Sequence, residues 1–173
     1  MKKFNRSQSV LFLALLMALT TFYSCSKDDN NPVDPNNVTN SAASLTLNGA
    51  GYSNKAATLG NGLGGYSLPD TMTVLQFSGK VDNDSLYLGI IFKANHTGTF
   101  NWDNDNGAII YRTTSTGDFL YYGISQGSTT VSSYGSVNGK IEGSINGKLI
   151  EQSSLAELNI SGSFSALRIP DSQ

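Results

Sequence analysis

The chain has 173 residues, a formal net charge of −2 and one cysteine. One cysteine forms no disulfide within its own chain, so the fold is held by packing and backbone hydrogen bonds. Eleven Lys and Arg against thirteen Asp and Glu leave no basic excess for nucleic acid, which is recognised through a basic patch or stripe.

The amino terminus reads as a leader. Lys2, Lys3 and Arg6 precede the apolar run Val10 to Leu19, and together they mark residues 1–24 as a secretory signal. The run is shorter than the roughly 20 apolar residues of a spanning helix. Removing those three basic residues takes eleven to eight against thirteen acidic, a net −5.

Cys25 follows at once. A lone cysteine just after such a run, with the small Ser24 before it, resembles the lipidation site of bacterial lipoproteins. That resemblance implies a diacylglycerol and an amino-terminal acyl chain on Cys25. Each methylene they bury adds about 0.8 kcal/mol, and more than one chain gives lasting attachment. Lys27, Asp28 and Asp29 in "SKDDNN" resemble the surface-export tag of Bacteroidota lipoproteins. The expected address is the outer membrane, lipid-anchored, with its outer face as the finer expectation. Residues 25–42 are the lipidated cysteine and a polar tether containing Pro32 and Pro35, and residues 43–173 form one domain.

Within that domain the period is two. Leu45–Asn48 is the first expected strand, and Asn48-Gly49 after it reads as a hairpin turn. "GNGLGG", Gly60 to Gly65, fits a phosphate-loop pattern, but no helix start follows and Pro69 is close behind, so a loop is expected. Met72–Ser78 is the next strand. Ser85–Lys93 then places Leu86, Leu88, Ile90 and Phe92 on one face. Ala108–Thr113, Phe119–Ser125, Thr129–Val137, Lys140–Ile145 and Glu157–Ala166 complete the set, with one helical turn expected at Ser153–Glu157. Near-repeats at Ser136 ("SVNGKIEG") and Ser144 ("SINGKLIE") each centre on Asn-Gly and are read as hairpins. The expected fold is all-β, an antiparallel sandwich or flattened barrel built from β-hairpins.

"TGTFNWDNDNGAIIY", "GSTTVSSYGSVNGKIEGSI" and "LNISGSFSALRIP" occur in that order. In this the chain resembles a family of small Bacteroidota lipoproteins with an all-β domain of unknown function, over roughly Leu45 to Pro170. The resemblance implies fold and address and no activity.

Few residues carry a chemical signature. Asp103, Asp105 and Asn106 in "DNDNG" suggest a calcium loop, but Gly107 and Thr114 fall where ligands belong, so a β-turn is expected. His96 is the only histidine and has no partner motif for nucleophilic catalysis. Glu142, Glu151 and Glu157 carry no local signature of a carboxylate pair. The expectation is therefore no enzyme, no cofactor and no metal.

The aromatic group Phe100, Trp102, Tyr111, Phe119, Tyr121 and Tyr122 is more suggestive, because flat rings beside Asn and Asp suit a sugar face. Trp102, Tyr111, Tyr121 and Tyr122 are the ligand-binding candidates, with about half of the group expected in the core by strand alternation. "DTM" and "DSL" resemble the Bacteroidota O-glycosylation pattern and mark Thr71 and Ser85.

The sequence thus points to an outer-membrane lipoprotein with a non-enzymatic ligand-binding domain, its partner a glycan or an envelope protein. The alternative is a structural or protein-interaction accessory of the envelope. Cys25→Ala is expected to release the protein from the membrane fraction; unchanged retention would overturn the anchor.

Overall fold

Apolar and polar residues alternate through nine strands in the computed structural model, which describes residues 41–173. The expected leader, Cys25 and nearly all of the tether lie outside the described residues. The strands are β1 (Ala42–Gly49), β2 (Tyr52–Ser67), β3 (Met72–Val81), β4 (Asp84–Phe92), β5 (Gly98–Asn101), β6 (Gly107–Thr113), β7 (Phe119–Tyr134), β8 (Lys140–Glu151) and β9 (Glu157–Arg168). No helix occurs among the described residues, and Ser153–Glu157 is a turn leading into β9.

Eight of these strands close into an antiparallel barrel in the order β1-β2-β3-β4-β6-β7-β8-β9, with β9 returning to β1. β1 and β9 pair from Ala42↔Ser165 to Gly49↔Leu158. That pairing decides barrel over sandwich, because closure leaves neither terminal strand with an open edge. β5 is the extra strand. It takes up pairing with β7 at Ser128–Val131, beyond the stretch Phe119–Tyr122 that pairs with β6.

The inward positions form one apolar core. Leu86, Leu88, Ile90 and Phe92 of β4 point inside as expected, as do Leu158, Ile160 and Phe164 of β9. Phe77 and Phe164 meet across the interior with ring centroids 6.4 Å apart.

Several turns and strands differ from expectation, for packing reasons. "GNGLGG" is the middle of β2, and a bulge at Asn61 (φ 53°) keeps Gly62 and Gly64 inward. A Cβ on Gly64 would strike the Leu75 side chain, so glycine here makes room for a neighbour rather than a phosphate. The first hairpin turns at Ala50-Gly51, both with positive φ as a type I′ turn requires, two residues after Asn48-Gly49. Gly49 is instead a bulge pressed on the Glu157 carbonyl. The expected strands Phe119–Ser125 and Thr129–Val137 are one strand, β7.

Of the two Asn-Gly repeats, only Asn138-Gly139 turns. The Gly139 N–H donates to the Ser136 carbonyl at 2.8 Å, and Asn138 has φ 67°. Asn146-Gly147 lies inside β8, with Gly147 opposite Gly127 of β7. The Trp102 indole sits on this glycine pair, in space that a Cβ on either would occupy. Its Nε1–H donates to the Thr129 hydroxyl at 2.9 Å.

Trp102 is thus a core residue, 8 % exposed. Trp102→Ala is expected to cost about 3–5 kcal/mol, read as a lowered urea midpoint. Gly147→Ala is expected to destabilise as well, since the added methyl displaces the indole.

Candidate functional site

The outside of the barrel has two different halves. Across six strands the register aligns Thr99, Thr130, Ser144, Ser163, Ser44 and Thr58. A second row, Asn101, Ser128, Asn146, Ser161 and Thr46, runs beside it. An apolar interior under an exterior of hydroxyls and amides is the reverse of a barrel that spans a membrane.

On the other half, β4, β6 and β7 carry aromatic residues outward. Tyr87, Tyr111 and Tyr121 are register partners across the three strands, and Phe119 follows two residues from Tyr121. The ring centroids of Tyr87 and Tyr111 are 6.3 Å apart, and those of Tyr111 and Tyr121 are 5.1 Å apart. Phe119 stacks on Tyr111 at 5.4 Å with 27° between planes.

Two of the tyrosines lean along the sheet. Tyr121 lies against Gly123, 3.5 Å from where its Cβ would be. The Tyr87 hydroxyl reaches diagonally to donate to Gln76 Oε1 at 2.7 Å. A ring lying on glycine packs one face on backbone and leaves the other to solvent. Burial pushes the Tyr121 hydroxyl up to about 12, with the neighbouring Tyr111 adding to the rise. Burial raises Tyr87 and Tyr111 too, so all three are neutral hydrogen-bonding groups at physiological pH.

The four expected ligand residues therefore divide. Tyr111 and Tyr121 share the outer row, whereas Trp102 and Tyr122 are buried in the core, Tyr122 at 1 % exposure. Tyr87 and Gln76 belong to the row and were not expected there. Tyr87 falls on the opposite strand face from Leu86 and Leu88, which is the signal that could have found it. Val74, Ile91 and Ile109 are also buried on this outer face, beside the tyrosines.

The modification candidates differ from each other. Thr71 and Asp70 are both exposed in the β2–β3 turn. Ser85 is exposed, but Asp84 and Leu86 on either side of it are buried. An enzyme reading Asp84-Ser85-Leu86 as a motif has to act before the barrel closes.

Asp103 Oδ1 accepts from the backbone N–H groups of Asp105 and Asn106, making "DNDNG" a self-capped turn. His96 is exposed in the β4–β5 loop, with Nδ1 2.8 Å from the Thr97 carbonyl. Among the described residues no group of three or more His, Cys, Asp and Glu side chains is placed to hold a metal.

A dense ionic cluster plugs the barrel end opposite Ser41, where the β1–β2, β3–β4 and β6–β7 turns meet. Arg112 donates to Asp84 through Nε at 2.8 Å and Nη2 at 2.7 Å, and to the Ala50 carbonyl through Nη1 at 2.8 Å. Its guanidinium lies over the Tyr52 ring, and the Tyr52 hydroxyl donates to Asp84 at 3.2 Å. The Ser115 N–H donates to the other Asp84 oxygen at 3.1 Å. With both partners committed to each other and to three turns, the pair fastens loops together rather than waiting for a substrate.

No family model, no curated protein and no solved structure matches the chain. The reading of the site rests on its geometry.

Burial alone would raise the Asp84 carboxyl, but the bonds from Arg112, Ser115 and Tyr52 outweigh it and hold the group below its ordinary value. A folded value below the unfolded one means the stabilisation is whole above about pH 3.9. It is lost as pH falls through the lower folded value. Asp84→Asn is expected to cost about 3 kcal/mol at pH 7 by leaving Arg112 uncompensated. Urea midpoints are expected to show a shallower acid limb below about pH 4 in the variant than in the wild type.

Proposed function

We propose that the protein is a lipid-anchored, non-enzymatic binding module of the outer membrane, in keeping with its resemblance to small Bacteroidota lipoproteins. Its binding surface is the tyrosine row on the outside of the barrel, and its ligand is a glycan. The observation that carries this reading is the alignment of Tyr87, Tyr111 and Tyr121 across three strands, with Phe119 stacked at one end. Successive strands lie about 4.8 Å apart, so the row offers aromatic contacts at regular steps along a line across the sheet. Aromatic rings supply large apolar contact, and the hydroxyl of tyrosine adds a polar handle for the hydroxyls of a sugar. Gln76 beside Tyr87 contributes a further polar group.

The aromatic group of the sequence thus keeps its proposed role through Tyr111 and Tyr121, joined by Tyr87 and Phe119. Trp102 and Tyr122 act beneath the surface as core. Thr71 remains the better of the two glycosylation candidates, because its whole turn is exposed except for the half-buried Met72.

A protein-interaction accessory is the second reading. Phe119 and Leu155 favour it, as large apolar side chains 65 % and 66 % exposed at the same end of the barrel. Exposed apolar side chains suit a protein surface at least as well as a sugar.

The test is a glycan array probed with the chain from Ser26 onward, as wild type and as Tyr111→Ala and Tyr121→Ala variants of matched thermal stability. Selective binding that weakens about tenfold in each variant, equivalent to about 1.4 kcal/mol, is the expected result. A blank array would turn the assignment towards a protein partner, to be sought by pull-down from outer membranes.

A further inference from the structure

Four large apolar side chains stand exposed among the described residues: Leu68, Phe119, Val137 and Leu155. They fall two to each end of the barrel. Phe119 and Leu155 lie at the Arg112 end, in or beside the β6–β7 and β8–β9 turns. Leu68 and Val137 lie at the Ser41 end, in the β2–β3 and β7–β8 turns. Phe119 is explained in part by its stack on Tyr111, but nothing in the barrel explains the pair at the Ser41 end.

The position of the amino terminus separates the two ends. β1 starts at Ala42, and the Ser41 carbonyl before it accepts the Gly62 N–H at 3.1 Å, so the chain enters the barrel at a fixed point on that end. Fifteen residues separate Cys25 from Ser41. Even fully extended they span only about 50 Å. A lipid on Cys25 therefore tethers this end within that distance of the bilayer, at an effective concentration that makes weak contacts count.

The two turns are also held in place. Val137 occupies the second position of the turn closed by Gly139 and Ser136, and the Asn138 N–H ties that turn to the Arg168 carbonyl at 2.8 Å. The Leu68 N–H donates to the Ser172 carbonyl at 3.1 Å, and the Ser172 N–H returns to Tyr66 at 2.9 Å. The carboxy-terminal residues thus strap the end of β2 and the start of the β2–β3 turn to the barrel rim, with Ile169 packed beside Gly65 and Ser172 paired with Ser67. A turn whose backbone is already held in place loses little freedom when its side chain inserts.

The charges on this rim are compensated in part, by Arg168 with Asp171 and by Lys93 with Asp105 at 3.5 Å. Arg168 Nη2 donates to both oxygens of Asp171 at 2.9 and 3.0 Å. Asp70 is exposed and accepts from the Ser67 hydroxyl at 2.7 Å.

We propose that the Ser41 end of the barrel rests on the bilayer, with Leu68 and Val137 inserted at the headgroup–acyl boundary. The inference rests on the reading of Cys25 as the lipid anchor. Insertion would point the Arg112 end away from the membrane and set the tyrosine row on the barrel wall, open to ligands from the side.

The test uses the chain from Cys25 onward, which contains the whole barrel, coupled through Cys25 to a maleimide lipid in phosphatidylethanolamine–phosphatidylcholine vesicles. Leu68→Trp, Val137→Trp and Leu155→Trp variants are compared with the wild type, whose buried Trp102 gives the background. With brominated lipids, the fluorescence of Leu68→Trp and Val137→Trp is expected to be quenched at least twofold more than that of Leu155→Trp or the wild type. Equal quenching at all positions, none at residues 68 and 137, or stronger quenching at residue 155 would each overturn the proposal. Because the anchor here is synthetic, loss of natural lipidation shows separately, as unchanged membrane retention of Cys25→Ala in cells.

Discussion

β1 is hydrogen-bonded on both sides, to β2 through its hairpin and to β9 across the seam, and this closure settles which side chains lie inside. Strand side chains alternate strictly, so once the seam holds Leu45 and Leu47 inward, Ser44 and Thr46 must face water. The same register carries round the barrel, turning scattered Ser, Thr and Asn residues into rows. A slip of one residue at the seam would exchange the two faces of β1, burying hydroxyls and exposing leucines. The closure therefore underlies both the core and the outer surface.

The interior is filled by interlocking large and very small residues. Trp102 occupies space left by Gly127 and Gly147, Leu75 the space beside Gly64, and Phe164 the space beside Gly143. Interiors packed to crystal-like density tolerate few voids, so each of these glycines is paired with a specific large neighbour. This filling leaves the outer wall and the two ends as the surfaces open to solvent. Of these, the wall at β4, β6 and β7 carries the tyrosines, and the Arg112 end is fastened by ionic bonds.

Much of the fold was legible in the residues. The alternation of Leu86, Leu88, Ile90 and Phe92 marked β4, and a comparable pattern marked β9. Three of the misread segments share one cause. "GNGLGG", Asn48-Gly49 and Asn146-Gly147 all contain glycine, which reads locally as a turn because it tolerates positive φ. Here Gly64 and Gly147 are extended strand residues whose missing side chains make room for Leu75 and Trp102. Local sequence carries no information about those distant neighbours.

The candidate site divides along the same line. Alternation separated Tyr121 from Tyr122 but left open which of the two faced inward. Tyr87 lies far along the chain from Tyr111 and Tyr121, and only the β4–β6–β7 register aligns the three. By itself the sequence determined the all-β class, the identity of most strands and the lack of an intrachain disulfide, because these follow from composition and a period of two. Tertiary structure decided closure into a barrel, the burial of Trp102 and Tyr122, and the outer tyrosine row. Those depend on pairings between residues distant in the chain, which no local pattern encodes.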